Sequence, residues 1–421
     1  MKNRFLMVVV FCLSLNLCVS GQGQLGEKTL YRSIRSFGVL PQNKPIVNKI
    51  RLQKAIDWAS VSGAALFVEP TEDPYNIGSG IILKQNVSLI GVNGPVPRGT
   101  KHSTKVQPVG SVFAVRDSLS PFITVESSTQ IKGIQFWYPD QILDDPSKVI
   151  AYPPTIQVSK TSNTEGVTLS DLTFYGEYLA MDFNCSPQHA CELIIFEHCS
   201  GYPLGGEFIR IDYCYDIPRI LHCHVNPAIQ RQLGRSYSKQ LIDAVVARQK
   251  FSYAINNTDN AQLIDLFTFG NYGGILLGAA TYGQLTNFNF DCVTVGIHKF
   301  GDNSKNRNWM ITQGSIIANT GVRIEDVHPI IIEGKGHSAI SNVEAFSGGN
   351  GALTNFGMSW DFMTIRGNEK CSVSMFGCRM RDYKAELPLT ILNPNAIIQA
   401  LGCLDKHEMP YSFPGETMIK H

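Results

Sequence analysis

The sequence predicts an all-β fold: a single-stranded, right-handed parallel β-helix, a solenoid of about ten or eleven coils with an N-terminal capping helix. Three observations carry the prediction. An apolar-x-x-apolar-x-apolar pattern recurs along the chain, and a short alternating strand runs a few residues ahead of it. Charged residues are only 17% of the 421 positions and glycines number 37, which suits short strands and turns better than helices.

The pattern stands at Val87-Ile90-Val92, Ile131-Ile134-Phe136, Leu169-Leu172-Phe174, Ile220-Cys223-Val225 and Ile264-Phe267-Phe269. It returns at Leu285-Phe288-Phe290, Ile340-Val343-Ala345, Val373-Phe376-Cys378 and Ile398-Leu401-Cys403, with weaker copies at Ile194-Glu197-Cys199 and Ile311-Gly314-Ile316. Starts lie 21 to 44 residues apart, most often 25 or 26. The alternating strands are "ITVE", "IQVS", "LAMD", "IRID", "YAIN", "ILLG" and "IHKF". Such short strands bury no core alone, but stacked copies bury a continuous one. No helical period links the copies, and propeller blades need about 40 residues or more. In this frame Cys199, Cys378 and Cys403 are internal stack residues, in the slot that Phe174, Phe269 and Phe290 fill elsewhere. Glu197 in an apolar slot signals either a register slip or a buried acid.

Ahead of the coils, "NKIRLQKAIDWASVSG" reads as an amphipathic helix with Ile50, Leu52, Ala55, Ile56 and Ala59 on its apolar face. It caps the open end of the stack, as a solenoid requires.

Residues 1–21 read as a signal peptide: Lys2 and Arg4, an apolar run from Phe5 to Val19, then Ser20 and Gly21. Leu17 before Cys18 is bulky where a lipoprotein signal wants a small residue. The expectation is a secreted or periplasmic protein cleaved near Ser20-Gly21, with 22–421 as a single β-helix domain and 31–94 as its cap and first coils. No later run of about 18 apolar residues predicts a membrane span. Lys+Arg 36 against Asp+Glu 35 gives a formal charge of +1, so no bulk field favours nucleic acid or an anionic membrane. Oligomeric state is open.

Nine cysteines follow, from Cys185 to Cys403, so at least one thiol has no partner in the chain. Cys185 and Cys191 are near enough in sequence to bridge. The Cys/His-rich stretch between Cys185 and His224 has no CxxC or paired HxxxH spacing, which speaks against a structural metal.

One octapeptide is written twice, "GEYLAMDF" at Gly176–Phe183 and "GEFIRIDY" at Gly206–Tyr213. Equivalent residues of neighbouring coils lie about 4.8 Å apart. Aligned octapeptides then set Glu177 beside Glu207 and Asp182 beside Asp212. Leu179, Met181, Ile209 and Ile211 point inward, and Ala180, Arg210 and both aspartates outward.

The segment "SIRSFGVLPQN…NKIRLQKAIDWASVSGAALFVEP…YNIGSGIILKQNVSLIGVNG", residues 33–94, resembles the opening module of the pectate-lyase-like β-helix superfamily, as in its rhamnogalacturonase, polygalacturonase and epimerase-like members. It departs at "LPQNKPIVN", where an Asp-Gly-x-x-Asp-Asp-Thr run often stands. The resemblance implies an enzyme that cuts or modifies an acidic polysaccharide. By resemblance to the polygalacturonase type, Glu177 and Glu207, each two positions before an inward apolar residue, match the row of catalytic acids, with Asp182 and Asp212 as further candidates. Such pairs suit glycoside hydrolysis, one group protonating the leaving oxygen and one activating water or attacking the sugar. Arg210, His298 and Arg323 are the expected substrate-binding residues. "GVRIED" partly resembles the Arg-Ile-Lys segment of polygalacturonases, but their Asn-Thr-Asp, Gly-Asp-Asp and Gly-His-Gly signatures are missing.

The expectation is therefore a glycoside hydrolase for a pectin-like glycan, with no cofactor. One alternative is a polysaccharide lyase in which Asp182 and Asp212 hold Ca2+ and Arg210 is the base. Another is a non-catalytic glycan-binding solenoid. The long interruptions at 137–155 and 226–250 are expected to project and wall a cleft, the second with Arg231, Arg235, Lys239, Arg248 and Lys250. Trp137, Tyr138, Tyr152, Trp309 and Trp360 are candidates to stack on sugars, though most should simply pack.

Overall fold

The computed structural model describes residues 31–94, 108–234, 238–301, 308–348 and 353–411. The expected signal segment and Arg235 lie outside them. The described chain winds as a parallel β-helix, one coil stacked on the next. Eleven strands, one from each of eleven coils, form a short sheet that runs from Ile81–Leu83 to Leu389–Ile391. The remaining strands join in a 22-stranded sheet that wraps the other sides. Every pairing between named strands of the two sheets is parallel, as in the registers Ile209↔Tyr253 and Leu285↔Ile311.

The two-residue gap in the repeat has a backbone cause. Between its first and second apolar residues the chain turns a corner through one left-handed residue: Asp171 (φ 54), His222 (φ 55), Asn287 (φ 54) and Asn342 (φ 52), among others. Asp, Asn and His tolerate that conformation better than most side chains. The kink re-aims the chain, so the apolar residues on both sides of the corner point inward. Leu169, Leu172 and Phe174 are all fully buried, as are Ile131, Ile134 and Phe136. Their aromatic members stack: the Phe136 and Phe174 rings are 5.2 Å apart and nearly parallel. Cys199, Cys378 and Cys403 take inward positions as expected, with exposures of 0, 0 and 1%. Gly314 is the exception that fits: a Cβ there would lie 2.1 Å from the Phe288 ring, which fills the space instead.

Four copies carry an outward residue where the pattern expects an inward one. Ile90, Ile264, Phe376 and Leu401 face outward, and Leu89, Leu263 and Met375 are the buried neighbours of the first three. Glu197 also points outward, because Phe196 is the buried residue of that coil. The register slips there, and no acid is buried.

The cap helix α1 spans Pro45–Ser62 and ends at Gly63 in the left-handed region. Leu52, Ala55, Ile56 and Ala59 are buried, but Ile50 is 62% exposed. Two residues before Leu52 is nearly the opposite face at 100° per residue. The inner position one turn earlier is Asn48, which donates to the carbonyls of Leu40 (2.8 Å) and Asn76 (2.9 Å) and so ties the cap to the first coil. No helix among the described residues is long and apolar enough to cross a membrane.

Candidate functional site

The outer face of the short sheet carries two cavities, each walled by one of the long interruptions. Its central row of outward residues, one per strand, runs Gln157, Asp182, Arg210, Ala254, Leu276, His298, Ile331, Thr364, Thr390.

The doubled octapeptide does not stack as equivalent coils. Strand Met181–Asn184 pairs with Ile209–Asp212 in the register Met181↔Ile209 and Asp182↔Arg210, an offset of 28 residues where the octapeptides differ by 30. Within the strands the slip of two preserves which side chains face in and changes every neighbour; just ahead of them the expectation is reversed, with Leu179 lining a cavity and Ala180 in the core. Asp182 meets Arg210 rather than Asp212, and accepts from its Nε and Nη2 at 2.9 and 3.0 Å. Lys160 adds a second cation at 3.4 Å. Burial alone would raise the Asp182 carboxyl; these partners more than offset it and hold it below the usual range. Asp212 lies opposite Asn184, accepts from Asn257 Nδ2 at 2.8 Å, and is raised by burial. The two aspartates therefore form no joint carboxylate site, and Asp182 is saturated by cations. This donor arrangement does not fit the calcium of the lyase alternative.

Glu177 and Glu207 are separated for the same reason. The position beside Glu207 is Leu179, and both line a cavity of about 240 Å³ with Tyr152, Tyr178, Gly205 and Arg210. Glu207 Oε2 lies 3.5 Å from Arg210 Nη1. Glu177 is 0% exposed. Its carboxyl rests near the amides of Gly176, Glu177 and Tyr202 and forms no hydrogen bond of normal geometry, and burial pushes it well above the carboxylate range. It occupies space that Gly201 leaves: a Cβ there would fall 2.4 Å from Glu177 Oε1. Glu177 is thus an interior residue out of reach of a polysaccharide.

The larger cavity, about 560 Å³, opens three strands further along around His298. His298 Nε2 lies 3.2 Å from Glu333 Oε2, which also accepts from Arg366 Nε at 2.9 Å. The His298 contact, against burial and with help from the Arg366 charge, holds Glu333 at about 2. Arg323 stands on the rim and not on a strand: it precedes a short turn, Ile324–Asp326, and is forked onto Asp326 at 2.6 and 2.9 Å. Deeper in the cavity His328 is backed by the buried Asp361, and half-buried Trp360 and Tyr272 complete the walls. Sequence reading missed His328, Asp361, Glu333 and Arg366. A signal existed: "HPIII" and "DFMTI" align as strands of successive coils with His over Asp.

An apolar floor of Phe251, Val295 and Ile331, with Tyr272 and Leu276, underlies the larger cavity and extends through Leu276 toward the smaller one. It needs Gly273, where a Cβ would sit 2.0 Å from the Phe251 ring. The 226–250 interruption contributes helix α2, Lys239–Val246, whose Ile242 and Val246 pack on Phe269 and Cys292. Its end, with Ala247 and Gln249, walls the larger cavity. Two of its basic residues are engaged: Lys239 pairs with Asp243 at 2.8 Å, and Arg248 lies over the Tyr178 ring at 5.1 Å. Tyr138, Tyr152 and Trp309 pack inside, with at most 5% exposure, which leaves Trp360, Tyr272 and Tyr178 as the half-buried aromatics that line the two cavities. All nine cysteines of the described residues are free thiols, Cys191 standing over Cys214 on the next coil, and no cluster of His, Cys, Asp and Glu among the described residues is arranged to hold a metal.

No family model matches the chain, and no curated protein matches its sequence. Solved structures do match in fold. The catalytic domain of Agl-KA is similar at 9% identity, over 88% of this chain and 68% of that one, with a TM-score of 0.53. A mutant tailspike protein of E. coli bacteriophage HK620, in complex with a pentasaccharide, is similar at 10% identity, over 89% and 71% of the two chains, with a TM-score of 0.52. The shared fold is the right-handed parallel β-helix.

Proposed function

We propose that this protein is an exported polysaccharide-active enzyme, most simply a glycoside hydrolase, whose glycan lies across the strands on the outer face of the short sheet. The observation that supports this is the shared row: Glu207–Arg210 and His298–His328 open on one face, three strand steps or roughly 14 Å apart at about 4.8 Å per step. That span suits an oligosaccharide better than a single sugar. The apolar floor and Trp360 offer surfaces for sugar rings.

Charge bears on the substrate. Arg210, Arg366 and Arg323 each already face a carboxylate, of Asp182, Glu333 and Asp326 respectively. A uronate would have to displace one of these, so a glycan of low charge density is favoured over the pectin-like substrate expected from the sequence. The same pairing leaves Arg210 poorly placed to act as the base of a lyase.

The test is product analysis against neutral and acidic polysaccharides. New reducing ends from a glycan of low charge support the reading. Unsaturated, chelator-sensitive products would replace it with a lyase, and binding without turnover with an adhesion solenoid.

A further inference from the structure

Asp361 and His328 stand at equivalent positions of adjacent coils, since Ile330 pairs with Met363 two residues beyond each. Asp361 is fully buried and its Oδ1 lies 2.8 Å from His328 Nδ1. Its Oδ2 accepts from Thr364 Oγ1 at 2.6 Å, and the same hydroxyl lies 3.2 Å from Nδ1. Every polar atom behind the ring is thus engaged. Nε2 has no hydrogen bond to a described residue, and His328 lines the larger cavity.

The stack itself does not call for this pair. On the preceding coil the position of His328 is held by Val295. A buried carboxylate is costly unless its hydrogen bonds are met, and here a histidine and a threonine meet them. A carboxylate oxygen accepts, so the contact places a proton on Nδ1, and in the uncharged ring the lone pair is then on Nε2. A carboxylate behind an imidazole also stabilises the imidazolium that forms when Nε2 takes up a proton.

We infer that His328 is the general base of this cavity and Asp361 its positioning residue, an inference that rests on the glycan-cleaving reading above. Nε2 removes a proton from a water molecule as the water oxygen bonds to the anomeric carbon. The glycosidic C–O bond breaks, its electron pair stays with the departing oxygen, and that oxygen takes a proton from solvent. His328 then releases its proton to solvent, so one water is consumed per bond cut.

The experiment uses the full chain and the polysaccharide it cleaves, with His328→Ala, His328→Gln and Asp361→Asn compared by kcat, glycan affinity and melting temperature. The expected result is a fall in kcat of about 10²–10⁴-fold in both His328 variants. Affinity stays within about twofold, because the base acts in the transition state. Added imidazole restores part of the activity of His328→Ala and none of that of Asp361→Asn. A folded His328 variant that keeps kcat within about tenfold of the parent overturns the inference and leaves the hydrolase reading standing. Loss of kcat in His328→Ala without any rescue by imidazole also overturns it, and assigns the dyad to structure. Failure of the parent protein to cleave any polysaccharide removes reading and inference together.

Discussion

Asp182 and Arg210 sit side by side on adjacent coils, joined by a fork of 2.9 and 3.0 Å, although the repeated octapeptide would have put Asp212 in the place of Arg210. The slip replaces a pair of like charges with a matched pair. Arg210→Met therefore strands a carboxylate that is only 4% exposed, with Lys160 as its remaining cation. The expected loss is about 2–3 kcal/mol in denaturant unfolding. Asp182→Asn combined with Arg210→Met should cost less than Arg210→Met alone.

Glu177 makes the opposite prediction. Its folded pKa is raised by burial, so the interior holds it protonated while the unfolded chain releases the proton. The stability of the fold is whole below the unfolded value, near 4.5, and declines as pH rises above it, by at most about 1.4 kcal/mol per pH unit. Glu177→Gln should melt higher than the parent at pH 7 and equal it near pH 4. Its turnover of polysaccharide should be unchanged, whereas Glu207→Gln should weaken glycan binding.

Glu333 titrates with the other sign. Its folded value of about 2 lies below the ordinary 4.5, so the His298–Glu333–Arg366 cluster stabilises the fold above pH 4.5 and loses that contribution as pH falls toward 2. Glu333→Gln should be less stable than the parent at pH 6, with the difference closing across that window in pH-dependent melting curves.

Gly273 is the smallest change on the groove floor. In Gly273→Ala the new methyl meets the Phe251 ring at 2.0 Å, which forces the ring from its place between Tyr272 and His298. The expected cost is about 1–3 kcal/mol, together with weaker glycan binding. Gly273→Ala with Phe251→Leu should recover most of the stability and little of the binding.

The repeat was legible because every coil must supply inward apolar residues, and the corner residues Asp171, His222, Asn287 and Asn342 imprint a fixed gap between them. The cap helix was legible from Leu52, Ala55, Ile56 and Ala59, one face at helical spacing. The slip at Met181 was not. A strand repeats every two residues, so a two-residue shift leaves Met181, Phe183, Ile209 and Ile211 on faces of the same kind, and only the partner across the ladder distinguishes the registers. That shift parts Glu177 from Glu207, whereas the burial of Glu177 has a separate cause, the space that Gly201 leaves for its carboxyl. His328 and Asp361 escaped because 33 residues separate them and neither lies in a motif; the stacking of coils alone brings them together.

The central claim is that polysaccharide runs along the short sheet between its two cavities. Leu276 lies on that path, half-buried in the row between Arg210 and His298, and Ser374 points outward from the other sheet. Affinity and product release should be measured for Leu276→Trp and Ser374→Trp on the glycan that the parent cleaves. The account predicts that Leu276→Trp folds, and loses binding and turnover about tenfold or more, while Ser374→Trp matches the parent. Full activity in Leu276→Trp, or equal loss in a folded Ser374→Trp, would contradict it.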